Sequence, residues 1–253
     1  MFAEERKIKI LDRLDKQGKV RVKELSKLYN VSEATIRRDL QELEERGMIK
    51  RTHGGAVLTE HTKFEPTFLE KEDKFHEEKE AIGKLAASLI EDGDTIAIDS
   101  GTTTLEIAKN IKAKNLTIVT NSLDIAYEIG KRSDIEVVIT GGMMRWKTRA
   151  MVGPIADNTI KNLRVDKVFL GTNGICIKKG ITTPNLIEAQ TKRALLKIAS
   201  QAIVVCDHTK FNQVSFAKIA DINEVDIIIT DNKLPSKLLD KYKEQDIEIM
   251  ISN

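Results

Sequence analysis

Apolar residues recur along this chain with two periods, and the change from one to the other divides it. Up to Leu58 they follow the helical spacing. Ile8, Leu11 and Leu14 fall on one face of a helix ending near Gly18, Leu25 and Leu28 suit a short helix broken at Asn30, and Ile36, Leu40 and Leu43 form the buried stripe of a third. Ser32 is a good N-cap for a helix starting at Glu33, and Val31 with Ile36 has the spacing of a hydrophobic staple. After Gly47, the Ile49/Arg51 alternation, the Gly54-Gly55 turn and Ala56-Val57-Leu58 predict a β-hairpin. Thr59 to Glu78 is polar and charged with isolated Phe64, Phe68 and Phe75, and reads as a linker.

From Lys79 onward short apolar runs alternate with helical patterns. The runs predict strands over Thr95 to Asp99, Leu116 to Asn121, Ile135 to Thr140, Asp166 to Gly171, Ala202 to Asp207, Asp226 to Thr230 and Ile247 to Ile251. Helices are predicted near Lys79 to Glu91, Thr103 to Ile111, Ser122 to Lys131, Pro154 to Asn162, Asn185 to Ser200 and Pro235 to Lys243. Strands that are apolar throughout are covered on both faces, so the fold class is α/β with a mostly parallel sheet and helices on both sides.

The third helix carries the first candidate chemistry. With Ile36, Leu40 and Leu43 inward, Ala34, Arg38 and Gln41 point outward, and Thr35 and Arg37 flank that face. An arginine fork on an exposed helix can meet guanine O6 and N7 in a major groove, and a small alanine can approach a thymine methyl. The hairpin would carry Lys50, Arg51 and His53 to phosphates or into a minor groove. The plain alternative is an ordinary solvated helix face. Against it, Met1 to Leu58 holds 14 Lys/Arg and 10 Asp/Glu, whereas the remainder holds 27 and 29, so basic charge gathers where the helix, cap and wing agree. Double-stranded DNA is the expected partner of this element, with Ser32 at its cap. Asp39 points partly inward and is expected to pair with a neighbouring arginine rather than read a base.

The second candidate site lies at the carboxyl ends of the predicted strands, the edge at which open parallel sheets bind ligands. The residues there are Asp99-Ser100-Gly101-Thr102-Thr103-Thr104, Asn121-Ser122, Gly141-Gly142, Gly171-Thr172-Asn173 and Asp207-His208-Thr209-Lys210. Ser100 to Thr104 leads into a helix, whose first amides and positive dipole end suit a phosphate; the alternative is a tight turn whose threonines only cap the helix. Neither GxxxxGK[ST] nor GxGxxG with a ribose-binding acid follows the first strand, which argues against ATP and NAD. A small phosphorylated polyol fits better. Lys210 is a candidate for an anionic ligand, with His208 as helper or bystander. Glu188 and Lys192, four apart on one helix face, read equally as a base with a phosphate partner or as a helix ion pair, the ion pair being favoured for Glu188. Trp146 with Arg145, Lys147 and Arg149 makes a basic patch that is open to three readings: a roof on the pocket, a subunit contact, or a solvated surface.

Length and composition add exclusions. The 253 residues hold a small domain and a larger one. No apolar run approaches the roughly 20 residues that span a bilayer, and the start Met-Phe-Ala-Glu-Glu-Arg is no signal peptide, so a cytoplasmic protein is expected. Cys176 and Cys206 form no CxxC pair and suggest neither metal site nor disulfide framework.

The stretch Arg6 to Leu58, above all VSEATIRRDLQELEERGMIKRTHGGA, resembles the winged helix-turn-helix of the DeoR family of bacterial transcriptional regulators. The resemblance continues through DSGTTT from Asp99 to Thr104, TNS around Asn121, GG at Gly141 and FLGTNG from Phe169 to Gly174. It implies an effector domain similar to ribose-phosphate and glucosamine-phosphate isomerases, responding to phosphorylated sugars. Isomerases of that fold carry an acidic strand end where this chain has Leu170-Gly171-Thr172-Asn173, which lacks a base, so an enzyme is the alternative and not the expectation. Lys71 stands where relatives often have arginine and lacks its bidentate fork. The run GTNG…GITTP…EAQTK from Gly171 to Lys192 looks most like fructose-operon repressors and points to a phosphorylated fructose.

The sequence thus predicts a two-domain repressor: a winged helix-turn-helix over Met1 to Leu58, a linker over Thr59 to Glu78, and a sugar-phosphate sensor over Lys79 to Asn253. It is expected to need no cofactor or metal and to have no catalytic residue. One recognition helix covers too few base pairs for selectivity, so a homo-oligomer, dimer or tetramer, is expected on a palindromic operator.

Overall fold

Glycine and asparagine end the first helices where the sequence places them, and the rest of the first unit follows. The computed structural model describes residues 2–45, 48–58, 65–245 and 247–253, and the chain divides into two units, Met1–Phe64 and Glu65–Asn253. In the first, α1 (Ala3–Gln17) closes at Gly18, whose N–H donates to the Leu14 carbonyl. After β1 (Lys19–Arg21), α2 (Val22–Tyr29) ends at Asn30 in the left-handed region. Helix α3 (Glu33–Glu45) then starts with the Thr35 amide donating to Ser32 Oγ at 3.1 Å, the cap expected from the sequence. Ile36, Leu40 and Leu43 are buried against Ile10, Leu14 and Leu25, with Val31 packed beside them.

The hairpin β2 (Ile49–Thr52) and β3 (Gly55–Leu58) forms the expected wing, and β1 adds an unforeseen third strand in the order β1-β3-β2. That strand explains Gly55. A Cβ there would lie 2.0 Å from the Val20 carbonyl oxygen, so only glycine lets β1 close on β3. The turn consequently falls at His53-Gly54, one residue earlier than the Gly54-Gly55 expected. Gly47, which opens the wing in the sequence, lies outside the described residues.

The segment read as a linker is only partly one. Residues 59–64, including Phe64, lie outside the described residues, but from Glu65 the chain belongs to the second unit. Thr67 and Glu70 form a reciprocal capping box on α4 (Phe68–Glu72). Phe68 is buried, its N–H donates to the Lys147 carbonyl at 2.7 Å, and the Arg149 guanidinium lies 5.0 Å from the centre of its ring. The polar composition hid this because a helix of five residues shows no full period. Helix α5 (His76–Ala87) likewise begins before Lys79.

The second unit is built on a seven-stranded parallel sheet. Chain order runs β4 (Thr95–Ile98), α6 (Thr102–Asn110), β5 (Leu116–Thr120), α7 (Leu123–Ile129) and β6 (Ile135–Ile139). A hairpin of β7 (Met143–Arg145) and β8 (Ala150–Val152) follows, then α8 (Pro154–Ile160) and β9 (Val165–Gly171). Next come β10 (Gly174–Cys176), β11 (Gly180–Thr183), α9 (Leu186–Lys197), β12 (Ala199–Val205) and β13 (Ala217–Ala220). The last elements are β14 (Ile227–Asp231), α10 (Ser236–Lys243) and β15 (Glu248–Ser252). The spatial order is β15-β14-β12-β9-β4-β5-β6, so all seven expected strands are present and the winding direction reverses between β4 and β9. Alternate residues of each strand serve opposite faces. Ile96 and Ile98 pack with α5, α6 and α7, whereas Ala97 and Val168 pack with α8, α9 and α10. The hairpin and a small antiparallel sheet, β10-β11-β13, escaped the sequence reading because their strands are only three or four residues long.

Ion pairs tie α1 to α3: Lys7 donates to Glu42 at 2.6 Å, and a second pair is buried on both sides. Arg6 donates from Nε and Nη2 to the two oxygens of Asp39 at 2.5 and 3.0 Å, and both side chains are buried. This is the arginine partner expected for Asp39. Breaking such a pair strands a buried charge, so Asp39→Ala is expected to destabilise the first unit by about 3 to 5 kcal/mol, whereas Arg38→Ala on the exposed face of the same helix stays within about 0.5 kcal/mol. Hydrogen exchange at the α3 amides measures both.

Candidate functional site

The first unit presents one exposed face of α3. Ala34, Arg37, Arg38 and Gln41 are exposed on it, Ser32 is exposed at its cap, and Thr35 is half-buried with its hydroxyl 2.8 Å from Ser32 Oγ. The Arg38 side chain is 82% exposed and sits 3.5 Å from Glu42, while Arg37 sits 3.3 Å from Glu33 and Gln41 donates to Glu45 at 3.0 Å. On the wing, Arg51 donates to Glu44 at 2.9 Å and His53 stands exposed at the turn. These are surface pairs, worth about 0 to 1 kcal/mol. Each arginine can therefore exchange its carboxylate for another acceptor at little cost.

In the second unit the strand-end residues gather where the sheet reverses. Asp99 follows β4 and Gly171 ends β9, and Lys192 of α9 bridges them: its Nζ pairs with Asp99 Oδ2 and donates to the Gly171 carbonyl at 3.0 Å. The Gly171 N–H donates to the same Asp99 oxygen at 3.2 Å. Asn121, after β5, accepts from the Ser100 N–H at 2.9 Å, and Ser122 caps α7. Three buried polar atoms in this group make no hydrogen bond: Asp99 Oδ1, Ser100 Oγ and Asn121 Nδ2. The Ser100 to Thr104 loop does enter α6, but the Thr104 hydroxyl is already spent on the Gly101 carbonyl at 3.0 Å. Thr102 is buried, while Gly101 and Thr103 remain half-exposed.

The remaining expected residues divide. Thr172 is occupied locally, donating to the carbonyls of Gly174 and Thr182, and Asn173 accepts from the Thr183 hydroxyl at 3.1 Å. Gly142 has a structural reason: at φ 110° a Cβ would lie 2.8 Å from the Val152 carbonyl oxygen and 3.0 Å from Ala156 Cβ, so it lets the chain pass under α8. Gly141 beside it is half-exposed. Lys210 sits 3.6 Å from Asp207 and donates to Thr209 Oγ1 at 3.1 Å. Asp207 is buried, which pushes its carboxyl up, but Lys210 and the Thr209 hydrogen bonds outweigh this and hold it below the usual range. His208 has its Nδ1 at 2.9 Å from Asp231 and its ring against Phe75.

Glu188 and Lys192 are not simply the helix ion pair favoured for Glu188. They stand 3.9 Å apart, but Glu188 pairs more closely with Arg145, which also grips Glu65 at 2.8 and 2.6 Å. Burial raises the Glu188 carboxyl above its ordinary value despite Lys192 and Arg145 nearby. The basic patch around Trp146 thus dissolves. Arg145 turns inward, Arg149 pairs with Asp124 at 2.9 Å, and only Trp146 and Lys147 face solvent.

Two residues were missed as site members, Lys71 and Lys79. Lys79 is 4% exposed, and its ammonium donates to the Lys71 carbonyl. Burial lowers the Lys79 pKa to about 8, with Lys210 and Lys71 also lowering it and Asp207 and Glu106 opposing. Burial lowers that of Lys71 too, within the fields of Glu188, Glu65, Lys192 and Lys210. Helical phase held the signal for Lys79, which shares the inward face of α5 with Ile82 and Ala86. Glu65 and Arg145, 80 positions apart, left none.

Comparison with known proteins now bears on both units. Residues 6–62 match the DeoR-like helix-turn-helix domain and residues 74–232 the DeoR C terminal sensor domain. The chain belongs to the DeoR family. It is 37% identical over 253 residues to the HTH-type transcriptional regulator GolR of Listeria innocua, covering 100% of both chains. It is 40% identical over 248 residues to an uncharacterized HTH-type transcriptional regulator, FruR, of Bacillus subtilis, covering 98% of each, and 35% identical over 253 residues to the HTH-type transcriptional repressor GlcR of the same organism, covering 100% of this chain and 97% of the other. A D-ribose-5-phosphate isomerase in complex with phospho-erythronic acid is similar at a TM-score of 0.41 and 16% identity, over 55% of each chain. This DeoR-family protein is a DNA-binding transcriptional regulator with a sensor domain, and not an enzyme. None of its described helices is long and apolar enough to cross a membrane.

Lys79 gives a pH test of the geometry. Its folded pKa lies below the unfolded value, so the charged form destabilises the fold below about pH 8 and that penalty fades as pH rises from 8 towards 10.5. Lys79→Met is therefore expected to raise the thermal midpoint at pH 7, with the gain shrinking above pH 8. A gain that does not vary with pH would place Lys79 in solvent.

Proposed function

We propose that this regulator is a repressor of an operon for sugar catabolism or transport, released from its operator by a phosphorylated sugar. The observation that carries the reading is the set of unpartnered buried atoms at the sheet reversal, Asp99 Oδ1, Ser100 Oγ and Asn121 Nδ2. Each unmet group costs about 1 to 3 kcal/mol, and sugar hydroxyls, which donate and accept, satisfy carboxylate, hydroxyl and amide together. The free amides at the start of α6 and the lysines nearby suit the phosphate. The remaining strand-end residues, from Gly141 to Lys210, are assigned to the rim of the same site. Several relatives are named repressors, among them GlcR and a putative aga operon transcriptional repressor of Escherichia coli O157:H7. Within the class, the run from Gly171 to Lys192, which resembles that of fructose-operon repressors, supports a fructose phosphate. A thermal-shift screen over sugar phosphates tests the class, since a ligand at a hundred times its Kd stabilises the fold by about 2.7 kcal/mol.

For the DNA side we assign base reading to Arg38, with Ala34, Thr35, Arg37 and Gln41 beside it, and backbone contacts to Ser32, Arg51 and His53. Two copies on a palindrome supply the selectivity that one α3 lacks. Arg38→Ala is expected to cost about 1 to 3 kcal/mol at the operator and to relax specificity at one base pair. Arg51→Ala is expected to weaken all sequences alike. Titrations on operator and scrambled duplexes separate the two, and an unchanged specific-to-nonspecific ratio in Arg38→Ala refutes the assignment.

For the sensor, Gly101 has φ 166° and ψ 161°, extended backbone open to any residue, but a Cβ there meets Thr104 Oγ1 at 3.1 Å. Gly101→Val thus fills the loop mouth without straining its backbone. Gly101→Val, and more mildly Thr103→Ala, are expected to keep operator affinity without sugar phosphate while blunting release, which is a super-repressor phenotype. Wild-type release corresponds to a coupling of about 1 to 3 kcal/mol, or roughly 5- to 150-fold in operator affinity. Operator titrations with and without the best sugar phosphate measure it.

A further inference from the structure

Trp146, the only tryptophan of the chain, lies outside both proposed sites and is 78% exposed at the turn between β7 and β8. Strand β7 beside it is bare. β8 has neighbours on both sides, β7 on one, and on the other the Ala150 to Ser122 bridge and the Asn121 carbonyl that accepts from the Met151 N–H. Among the described residues β7 pairs with β8 alone. Successive strand residues point to opposite faces, and Met143 and Met144 are both exposed, at 63% and 46%, so neither face of β7 is fully covered and its outer edge is open. The ground around the hairpin is apolar as well. Leu69 follows Phe68, whose N–H donates to the Lys147 carbonyl, Ile155 comes within 3.8 Å of where a Cβ on Gly141 would lie, and Leu186 opens α9 two residues before Glu188, the partner of Arg145. All three are more than half exposed. At about 150 to 250 Å² for a large side chain, these residues together offer on the order of 700 Å², more than the roughly 300 to 600 Å² of the largest apolar patch on a typical monomer and close to the about 800 Å² that each partner gives to a stable interface. Charge, by contrast, is withdrawn. Arg145 turns inward to Glu65 and Glu188 and Arg149 is held by Asp124, which leaves Lys147 as the cation of the turn in solvent. A phosphate backbone finds little to bind here, and two copies facing each other across a two-fold axis bring no guanidinium of β7 opposite its like.

We propose that the β7-β8 hairpin, with Trp146 at its tip and Leu69, Ile155 and Leu186 around it, is the surface on which a second copy of this chain sits. The proposal rests on the two-copy reading of operator binding above and adds where the copies meet. A two-fold axis at this edge sets β7 of one copy antiparallel to β7 of the other, with methionine and tryptophan, which are enriched at interface cores, between them. The inner side of the same hairpin is pinned through Arg145 to Glu188, which stands 3.9 Å from Lys192. The contact between copies and the proposed effector site therefore share one element.

The test uses the full chain without DNA. Sedimentation equilibrium over a dilution series is expected to show association. Because Trp146 is the sole indole, its fluorescence reports this surface alone, and in step with association its emission is expected to move to shorter wavelength and its quenching by iodide to fall. Trp146→Glu and Met143→Asp are each expected to weaken association about tenfold or more, as the loss of an interface anchor does, whereas Trp146→Phe and Lys147→Gln stay within about threefold of wild type. Should an acidic variant fail to fold, the emission of the unaltered chain decides alone. An associating wild type whose Trp146 stays as open to iodide as in the diluted protein overturns the proposal and leaves the two-copy reading standing, and so do folded Trp146→Glu and Met143→Asp variants that associate like wild type. A wild type that is monomeric at every concentration also overturns it and leaves this face to another partner; the stoichiometry on a palindromic duplex then decides the two-copy reading separately.

Discussion

The reversal of winding between β4 and β9 is the constraint on which this sensor depends. A sheet that runs outward in both directions from its centre leaves two neighbouring carboxyl ends with loops diverging to opposite faces, and the crevice between them must be closed by something other than backbone. Here a single ammonium, that of Lys192, closes it by joining the Asp99 carboxylate to the Gly171 carbonyl across the gap. Because α9 supplies that lysine and α6 begins just beyond Asp99, helices on opposite faces of the sheet are registered to one another through one buried contact.

Around this bridge the structure accumulates charge that its hydrophobic core does not require. Asp99, Glu188, Lys192 and Asp207 are all buried, and replacing such a charge together with its partner by apolar side chains is often neutral or stabilising, so packing alone does not call for them. Their retention within one neighbourhood, beside polar atoms left without partners, is what supports the proposed effector site. The DNA-facing unit shows the opposite economy: among its described residues the buried cations Arg6 and Lys7 pair with Asp39 and Glu42 to join α1 to α3, and the arginines on the outer face of α3 are kept in solvent.

How much of this was legible in the sequence follows from the range of the interactions. The caps at Ser32 and Asn30, the stripe from Ile36 to Leu43 and the seven parallel strands were readable because each rests on residues within a few positions of one another. The strand-end residues were readable as a group because parallel topology brings all such ends to one edge. What escaped was either too short to show a period, as α4 and the β7-β8 hairpin, or set by partners far apart in the chain. Arg145 was open to three readings, pocket roof, subunit contact or solvated surface, until Glu65 and Glu188 were seen to draw it inward, and His208 was open between helper and bystander until its contact with Asp231 was seen. Lys79 lay in plain view on the inward face of a helix, but a lysine there is most easily taken for a snorkelling side chain.

Each arginine assigned to DNA travels with a glutamate of α3: Arg37 with Glu33 and Arg38 with Glu42 about one turn away, and Arg51 of the wing with Glu44. In the proposed role these carboxylates do more than hold the guanidinium groups extended. They repel the phosphate backbone, and so subtract from the sequence-independent attraction that every basic surface has for every duplex. A reader of this kind dwells briefly on random DNA and keeps its residence for the sites whose base edges replace the glutamates. The search of a genome is then quickened by the acidic residues of the recognition helix, which the basic character of the unit at first conceals.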